Sequence, residues 1–296
     1  MTAWPPAALV LTAGLGTRLR PLTDHRAKPA MPIGDDTLIA LILRQLAERG
    51  ITDAVLNLHH LPASITREVG DGTQLGIRVR YCWEHPTVLG SAGGPRHALP
   101  LVEGKTILIV NGDTLCDLPI DRLWQAHRES GALVTLGLIA HPQAGRYGGV
   151  TLDADAAVTG FSSRRDPTPS WHFPGVQLVE REVLAPLADG VPAETVLQIY
   201  PALMAVRPGA VRGVVFDARF QDVGTLDDYR RTCLALAGDA QGNVRSRGAV
   251  IADDAVLRES IVWPGAIVPA GCMLERVVVT GHVPLAPGTR LTDVVA

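Results

Sequence analysis

Lysine is nearly missing from this chain of 296 residues, in which Lys28 and Lys105 stand alone beside 25 arginines. No block of basic residues occurs, and 27 basic against 30 acidic side chains leave a formal charge of −3. The electrostatic footprint of a nucleic-acid or anionic-membrane binder is therefore absent, and any anionic ligand must be met locally. No membrane span is expected either, because the apolar stretch Leu38 to Leu46 is broken by Arg44 well short of the ~18 residues a span needs. Met1 to Pro6 has no basic region of the kind that starts a secretory leader, so a cytoplasmic location is expected. The four cysteines, Cys82, Cys116, Cys233 and Cys272, never fall at the close C-x-x-C spacing of metal sites, which points to reduced, mostly buried thiols. Against such a bias toward arginine, a lysine that persists asks for a chemical reason.

What is present is an ordinary globular balance, with 47% apolar residues and a length that suits one large domain and one small one. Ala7 to Ala13 is a short apolar run ending at Gly14, the form of a strand buried on both faces of a parallel sheet. From Thr37 to Arg49 the residues Leu38, Leu41, Ile42 and Leu46 recur at helical spacing, with Gly50 at the stop. Strands are expected at Ala54 to Leu58, Ile77 to Trp83, Thr106 to Val110 and Leu133 to Ile139, and helices around Pro95 to Leu99, Ile120 to Glu129, Glu194 to Met204 and Leu226 to Leu236. This alternation predicts an α/β fold, a Rossmann-like three-layer arrangement around a mostly parallel sheet, over residues 1–238. Tyr147 to Val179, richer in Gly, Pro and Ser, reads as an antiparallel insertion beside that sheet.

After Gly238 to Asn243, which reads as a linker, the period changes. Val250, Val256, Val262, Val268 and Leu274 are six apart, and Gly265 and Gly271 keep the same stride. A six-residue period predicts a short left-handed hexapeptide β-helix over residues 239–296, with ~18 residues per coil and one inward apolar residue on each side. So short a coil stack leaves its end uncovered, and packing on the larger domain or self-association through this C-terminal domain is expected. An acyltransferase built on the coils is the alternative use of such a tail, with His282 as its one candidate histidine.

The chemistry concentrates at Leu11-Thr-Ala-Gly-Leu-Gly-Thr-Arg-Leu-Arg-Pro-Leu-Thr23, followed by Lys28-Pro29. Glycines directly after a buried strand let the backbone approach a ligand, and successive N–H groups there can cradle phosphate. Leu19 stands where a dinucleotide fingerprint needs its third glycine, and the Gly-Lys-Ser/Thr of a P-loop is absent. Arg18 offers a planar fork to a polyphosphate and Lys28 a compact point charge. Asp113 emerges at the end of the apolar run Thr106 to Val110, at the sheet edge where open α/β folds bind ligands, and Asp222 is a second strand-end carboxylate. Magnesium commonly takes one or two such carboxylates beside substrate phosphates. His59-His60 has no partners at ligand spacing, and Trp83, Trp124 and Trp171 read as core or rim residues.

The stretch resembles the sugar-1-phosphate nucleotidyltransferases, whose signature is G-x-G-T-R-L-x-P-L-T followed by K-P, and the resemblance extends over nearly the whole chain. Leu89-Gly-Ser-Ala-Gly-Gly94 is similar to the family's L-G-T-A-G loop, Asn111-Gly-Asp113 to its N-G-D, Tyr147-Gly148 to its Y-G and Asp222-Val-Gly-Thr225 to its D-V-G-T. The resemblance implies that Leu11, Ala13, Gly14, Gly16 and Thr17 hold a nucleoside triphosphate, with Arg18 on the leaving phosphates and Lys28 near the α-phosphate. It implies Mg2+ on Asp113 and Asp222, a nucleobase framed by Glu84, Gly90 and Gly93, and sugar hydroxyls at Asn111 and Gly148. The family's E-K-P motif is altered here: Arg164 takes the lysine's place beside the sugar phosphate and Ser163 that of the glutamate. Asn57-Leu-His-His-Leu61 and the short tail most resemble mannose-1-phosphate guanylyltransferases, so GTP and mannose 1-phosphate are the first expected substrates. Uridylyl or thymidylyl transfer, and a non-catalytic member that binds nucleotide sugar, stay open, although Arg18, Lys28, Asp113 and Asp222 are all in place.

Overall fold

Ala8, Leu9 and Val10 are completely buried, as befits a strand with helices on both sides. The structure is a computed structural model that describes residues 7–143, 145–166 and 168–296. The strand β1 (Ala7–Leu11) leaves the sheet two residues earlier than the apolar run alone indicates, because the N–H of Thr12 turns aside to Asn57 Oδ1 at 2.7 Å. A small hairpin of β2 (Pro32–Ile33) and β3 (Asp36–Thr37) precedes helix α1 (Leu38–Glu48), whose N-cap Thr37 accepts from the N–H of Ala40. Next come β4 (Asp53–Leu58), α2 (Pro62–Val69), β5 (Arg78–Trp83), α3 (Gly90–Ala98), β6 (Thr106–Asn111), β7 (Thr114–Cys116), α4 (Ile120–Ser130) and β8 (Val134–Ile139). Then follow β9 (Gly149–Leu152), β10 (Val158–Ser162), β11 (Val176–Glu180), α5 (Arg181–Leu184), α6 (Tyr200–Val206), β12 (Val211–Phe216), β13 (Phe220–Asp222) and α7 (Leu226–Ala237).

The central sheet has seven strands in the order β12-β8-β11-β6-β1-β4-β5. Its ladders are parallel except where β11 runs antiparallel between β6 and β8. The predicted insertion is thus only half of what stands there: β9 and β10 form the antiparallel hairpin, whereas Val176 to Val179 enters the main sheet. Three buried apolar residues in β11, Val176, Leu178 and Val179, give it the same apolar character as its neighbours in the sheet. Of the tryptophans, Trp124 is core, while Trp83 and Trp171 lie at the surface.

The C-terminal strands pair in parallel across coils, as a β-helix requires, but the step is 17 residues: Val244 pairs with Ile261 and Ile261 with Val278, and Val256 pairs with Met273. One side of each coil is a residue short, so the strict stride of six drifts off the interior. The inward columns are Ile251, Val268 and Leu285; Leu257, Leu274 and Leu291; and Val262, Val279 and Ala296. Val250 and Val256, expected inside, point to solvent. The face carrying Val244, Ile261, Trp263 and Val278 packs into the same apolar cluster as the N-terminal helices. Trp263 is 2% exposed and its Nε1 donates to Tyr229 Oη at 2.7 Å, which in turn donates to the carbonyl of Pro32 at 2.6 Å. Among the described residues no helix is long and apolar enough to cross a membrane.

Because this shared cluster joins the coils to α7, Trp263→Ala should lower stability by about 3–5 kcal/mol. Denaturation followed by circular dichroism should still show one transition. A separate transition for the coils, with the main one unmoved, would contradict the shared core.

Candidate active site

The loops after β1, β4, β5 and β6 all emerge at the same, carboxyl edge of the parallel ladders, and the residues singled out by chemistry gather there. After β1 the backbone turns through Gly16, whose φ of +62° is left-handed and whose added Cβ would lie 2.9 Å from Thr23 Cγ2. Thr23 closes the loop by donating Oγ1 to the carbonyl of Gly16 at 2.9 Å. Around Gly14 an added Cβ would meet nothing within 4 Å, so this backbone faces open space. A cavity of about 170 Å³ lies against it, lined by Leu11, Gly14, Gly16, Thr17, Arg18 and Lys28 together with Asp113.

A larger cavity of about 460 Å³ adjoins, lined among others by Asn111, Asp113, Tyr147, Arg164, His172 and Asp222. Arg18 and Asp113 belong to both linings, so the two cavities meet at a cation and a carboxylate. Lys28 explains its persistence: it is 7% exposed and its Nζ sits 2.7 Å from Asp113 Oδ2, whereas Lys105 is at the surface. Asp222 is brought to Asp113 by the short ladder of β7 and β13, in which it pairs with Thr114, and the N–H of Val223 donates to the carbonyl of Asp113 at 3.3 Å. Burial pushes the Asp222 carboxyl up, as do the charges of Asp113 and Asp228, while Lys28 pulls it down. Tyr147 Oη donates to Asp222 Oδ2 at 3.2 Å; burial and that carboxylate push its phenol up to about 12, so it stays a donor.

Several participants carry no local signal in the sequence. Arg146 lies 3.7 Å from Asp222 Oδ2 and is hydrogen-bonded to Asp228. Asp228 is 2% exposed and also accepts from Arg231 and from Thr225 Oγ1, the latter at 2.7 Å, as part of the capping box that starts α7. The one sequence signal that could have marked that cap is the Thr-x-x-Asp spacing before an apolar run. His172 is 6% exposed, packs between Tyr147 and Phe220 with ring centroids 4.5 and 4.8 Å away, and among the described residues has no hydrogen-bond partner on either ring nitrogen. Burial and the nearby His141 hold it down at about 4 against a weaker pull from the Gly148 backbone, so it is neutral.

Other expected residues stand outside both linings. Ala13 is buried under the first loop, and Gly148 lies close against the Ser162 carbonyl. Gly90 and Gly93 are covered by Glu194 and by the Val191 carbonyl. Both carboxylate oxygens of Glu84 are taken by protein donors, Asn57 Nδ2 at 2.7 Å and the N–H of Leu89 at 2.6 Å. His59 and His60 have structural partners, donating to the carbonyls of Glu84 and Thr23 at 2.9 and 2.7 Å. His282 stacks on His25 with centroids 4.0 Å apart. Among the described residues no cluster of three or more His, Cys, Asp or Glu side chains is placed to hold a metal.

A family model described as nucleotidyl transferase matches residues 7–237. The chain is 32% identical, over 97% of its own length and 79% of the relative's, to a mannose-1-phosphate guanylyltransferase of Mycobacterium tuberculosis. It is equally 32% identical, over 78% of its length and 98% of the relative's, to an N-acetylmuramate alpha-1-phosphate uridylyltransferase of Neisseria meningitidis. The crystal structure of HddC from Yersinia pseudotuberculosis shares the fold, with a TM-score of 0.68 at 20% identity over 77% of this chain and 98% of that one.

Burial pushes the Asp228 carboxyl up, but Arg146, Thr225 and Arg231 outweigh it and hold the group below the usual carboxylate range. Its ionic contribution to stability is therefore present above about pH 4 and fades as pH falls through the still lower folded value. Asp228→Asn should cost about 2 kcal/mol at pH 7, and thermal midpoints of variant and wild type should converge in acid. A gap that stays constant down to pH 2 would contradict the ion-pair origin.

Proposed function

Because the chain belongs to the nucleotidyl transferase family, we propose that it joins a nucleoside triphosphate to a sugar 1-phosphate with release of pyrophosphate, GTP and mannose 1-phosphate being the pair. The observation that carries this reading is the meeting of two cavities at Arg18 and Asp113. The smaller, walled by the glycine loop and Lys28, suits the triphosphate, and the larger suits the sugar phosphate. A phosphate oxygen of the sugar 1-phosphate attacks the α-phosphorus, and the bond from that phosphorus to the pyrophosphate oxygen breaks on the far side. Both reactants are anions, so the chain's task is alignment and charge neutralisation. Arg18 meets the leaving phosphates bidentately, Lys28 follows the α-phosphate as a point charge, and Arg164 holds the sugar phosphate in the cavity that Asn111 also lines. No general base is required, since the attacking oxygen is already ionised.

Members of this family use a divalent metal, and Mg2+ is the proposed one here. The donor set fits: Asp113 and Asp222 are hard oxygen ligands lining one cavity, brought together by the ladder of β7 and β13. A magnesium ion there would neutralise charge on the transferring phosphate. The guanine and mannose assignment is supported by the Mycobacterium relative, matched over nearly the whole chain. The uridylyl reading is favoured by the Neisseria relative, while the change at Ser163 and Arg164 bears on which sugar is held.

Pyrophosphate release across a grid of nucleoside triphosphates and sugar 1-phosphates tests the reading directly, with the highest kcat/KM expected for GTP with mannose 1-phosphate. Lys28→Arg should lower kcat by ~10²-fold, about 2.7 kcal/mol, because a wide planar guanidinium cannot keep the buried contact to Asp113 and the phosphate together. Lys105→Arg, at the surface, should be silent. Equal behaviour of the two variants at saturating substrate would remove Lys28 from the site.

A further inference from the structure

Two glycine-bearing loops, one after β1 and one after β5, are tied together by a buried chain of hydrogen bonds. The N–H of Thr12, two residues before Gly14, donates to Asn57 Oδ1 at 2.7 Å. Asn57 Nδ2 donates to Glu84 Oε1 at 2.7 Å, and Glu84 Oε2 accepts the N–H of Leu89, the residue before Gly90, at 2.6 Å. Asn57 and Glu84 are each 3% exposed. The relay is also walled in: a Cβ added to Gly94 would lie 2.4 Å from Glu84 Oε1 and 2.8 Å from Asn57 Nδ2.

The polarity of this chain is fixed at both ends. Thr12 and Leu89 each present a backbone donor, so each end of the side-chain pair must be an acceptor, while one donor and one acceptor must meet in the middle. Two amides fail, because satisfying both ends turns NH2 toward NH2. Two carboxylates fail, because oxygen then faces oxygen. One amide and one carboxylate succeed, and they succeed in either order. Each Glu84 oxygen thus already accepts from a donor of the protein, and the side chain is shut away from solvent.

We infer that Asn57 and Glu84 form a positioning pair that sets the separation of the two loops holding the nucleotide, and that Glu84 acts through this pair and not by contact with the base. The inference rests on the proposed function for the identity of the ligand. It predicts an exchange: in Asn57→Asp/Glu84→Gln the aspartate accepts from Thr12 and from the new amide, and the glutamine carbonyl accepts from Leu89, so every bond and the single negative charge are restored.

The experiment is a double-mutant cycle on the full chain, measuring kcat and KM for each substrate, the preference between GTP and UTP, and the thermal midpoint. Wild-type turnover is measured first: an enzyme inactive with every triphosphate and sugar 1-phosphate pair overturns the functional reading, whereas an active one makes the cycle a test of the relay alone. Glu84→Gln and Asn57→Asp should each raise the triphosphate KM about ten- to a hundredfold while the sugar-phosphate KM stays within about twofold. The exchanged double variant should return the triphosphate KM to within about threefold of wild type, with base preference unchanged throughout. Should Asn57→Asp not fold, the comparison of Glu84→Gln with the double variant decides the matter by the same readouts. A double variant no better than the worse single one, a base preference altered by Glu84→Gln, or single variants that lower only the thermal midpoint would overturn the inference.

Discussion

Like charges crowd the carboxyl edge of the central sheet, and the arrangement of cations around them governs the rest of the site. Burial, with the charges of Asp113 and Asp228 added to it, pushes Asp222 up even with Lys28 close by. Left to itself such a cluster would disperse into solvent. It is held by the ladder of β7 with β13, by Lys28 on Asp113, and by Arg146 spanning Asp222 and Asp228. Such salt links stabilise little against an apolar alternative, and under the proposed reaction their use is to keep carboxylates where a cation and phosphates would meet them.

From that constraint the division of labour follows. Lys28 is poised against one carboxylate on the side of the glycine loop, and Arg164, Tyr147 and Asn111 line the other side. Arg18 and Asp113 line both cavities, and in the proposed reaction their junction is where charge would build up as one anion attacks another. The C-terminal coils extend the same core instead of standing apart from it, since Trp263 reaches Tyr229 of α7, four residues beyond Thr225.

Much of this was legible in the residues, for identifiable reasons. A strand buried on both faces leaves an unbroken apolar run, so β1 and β6 were plain, and the carboxylate at the end of β6 fell at the sheet edge by topology alone. The persistence of Lys28 among arginines asked for a chemical reason, and the lysine is buried against Asp113. The placement of β11 was not legible, because direction leaves no trace in a fully buried strand. Nor was the 17-residue coil, in which one shortened side shifts Val250 and Val256 outward while the apparent period of six persists. Arg146 and Asp228 lie 82 positions apart, and a tertiary ion pair of that span has no local signature. Glu84 was marked as a site residue by resemblance, but only the distances show its carboxylate occupied on both oxygens.

The proposed reaction is a single in-line displacement between substrates that approach Arg18 and Asp113 from two adjoining cavities. Its most direct test uses GTP bearing sulfur in one defined configuration at the α-phosphorus, turned over with mannose 1-phosphate. One displacement inverts that centre, so the sugar nucleotide should form with inverted configuration. Retention would require two displacements through a covalent intermediate on the protein, and would contradict the account.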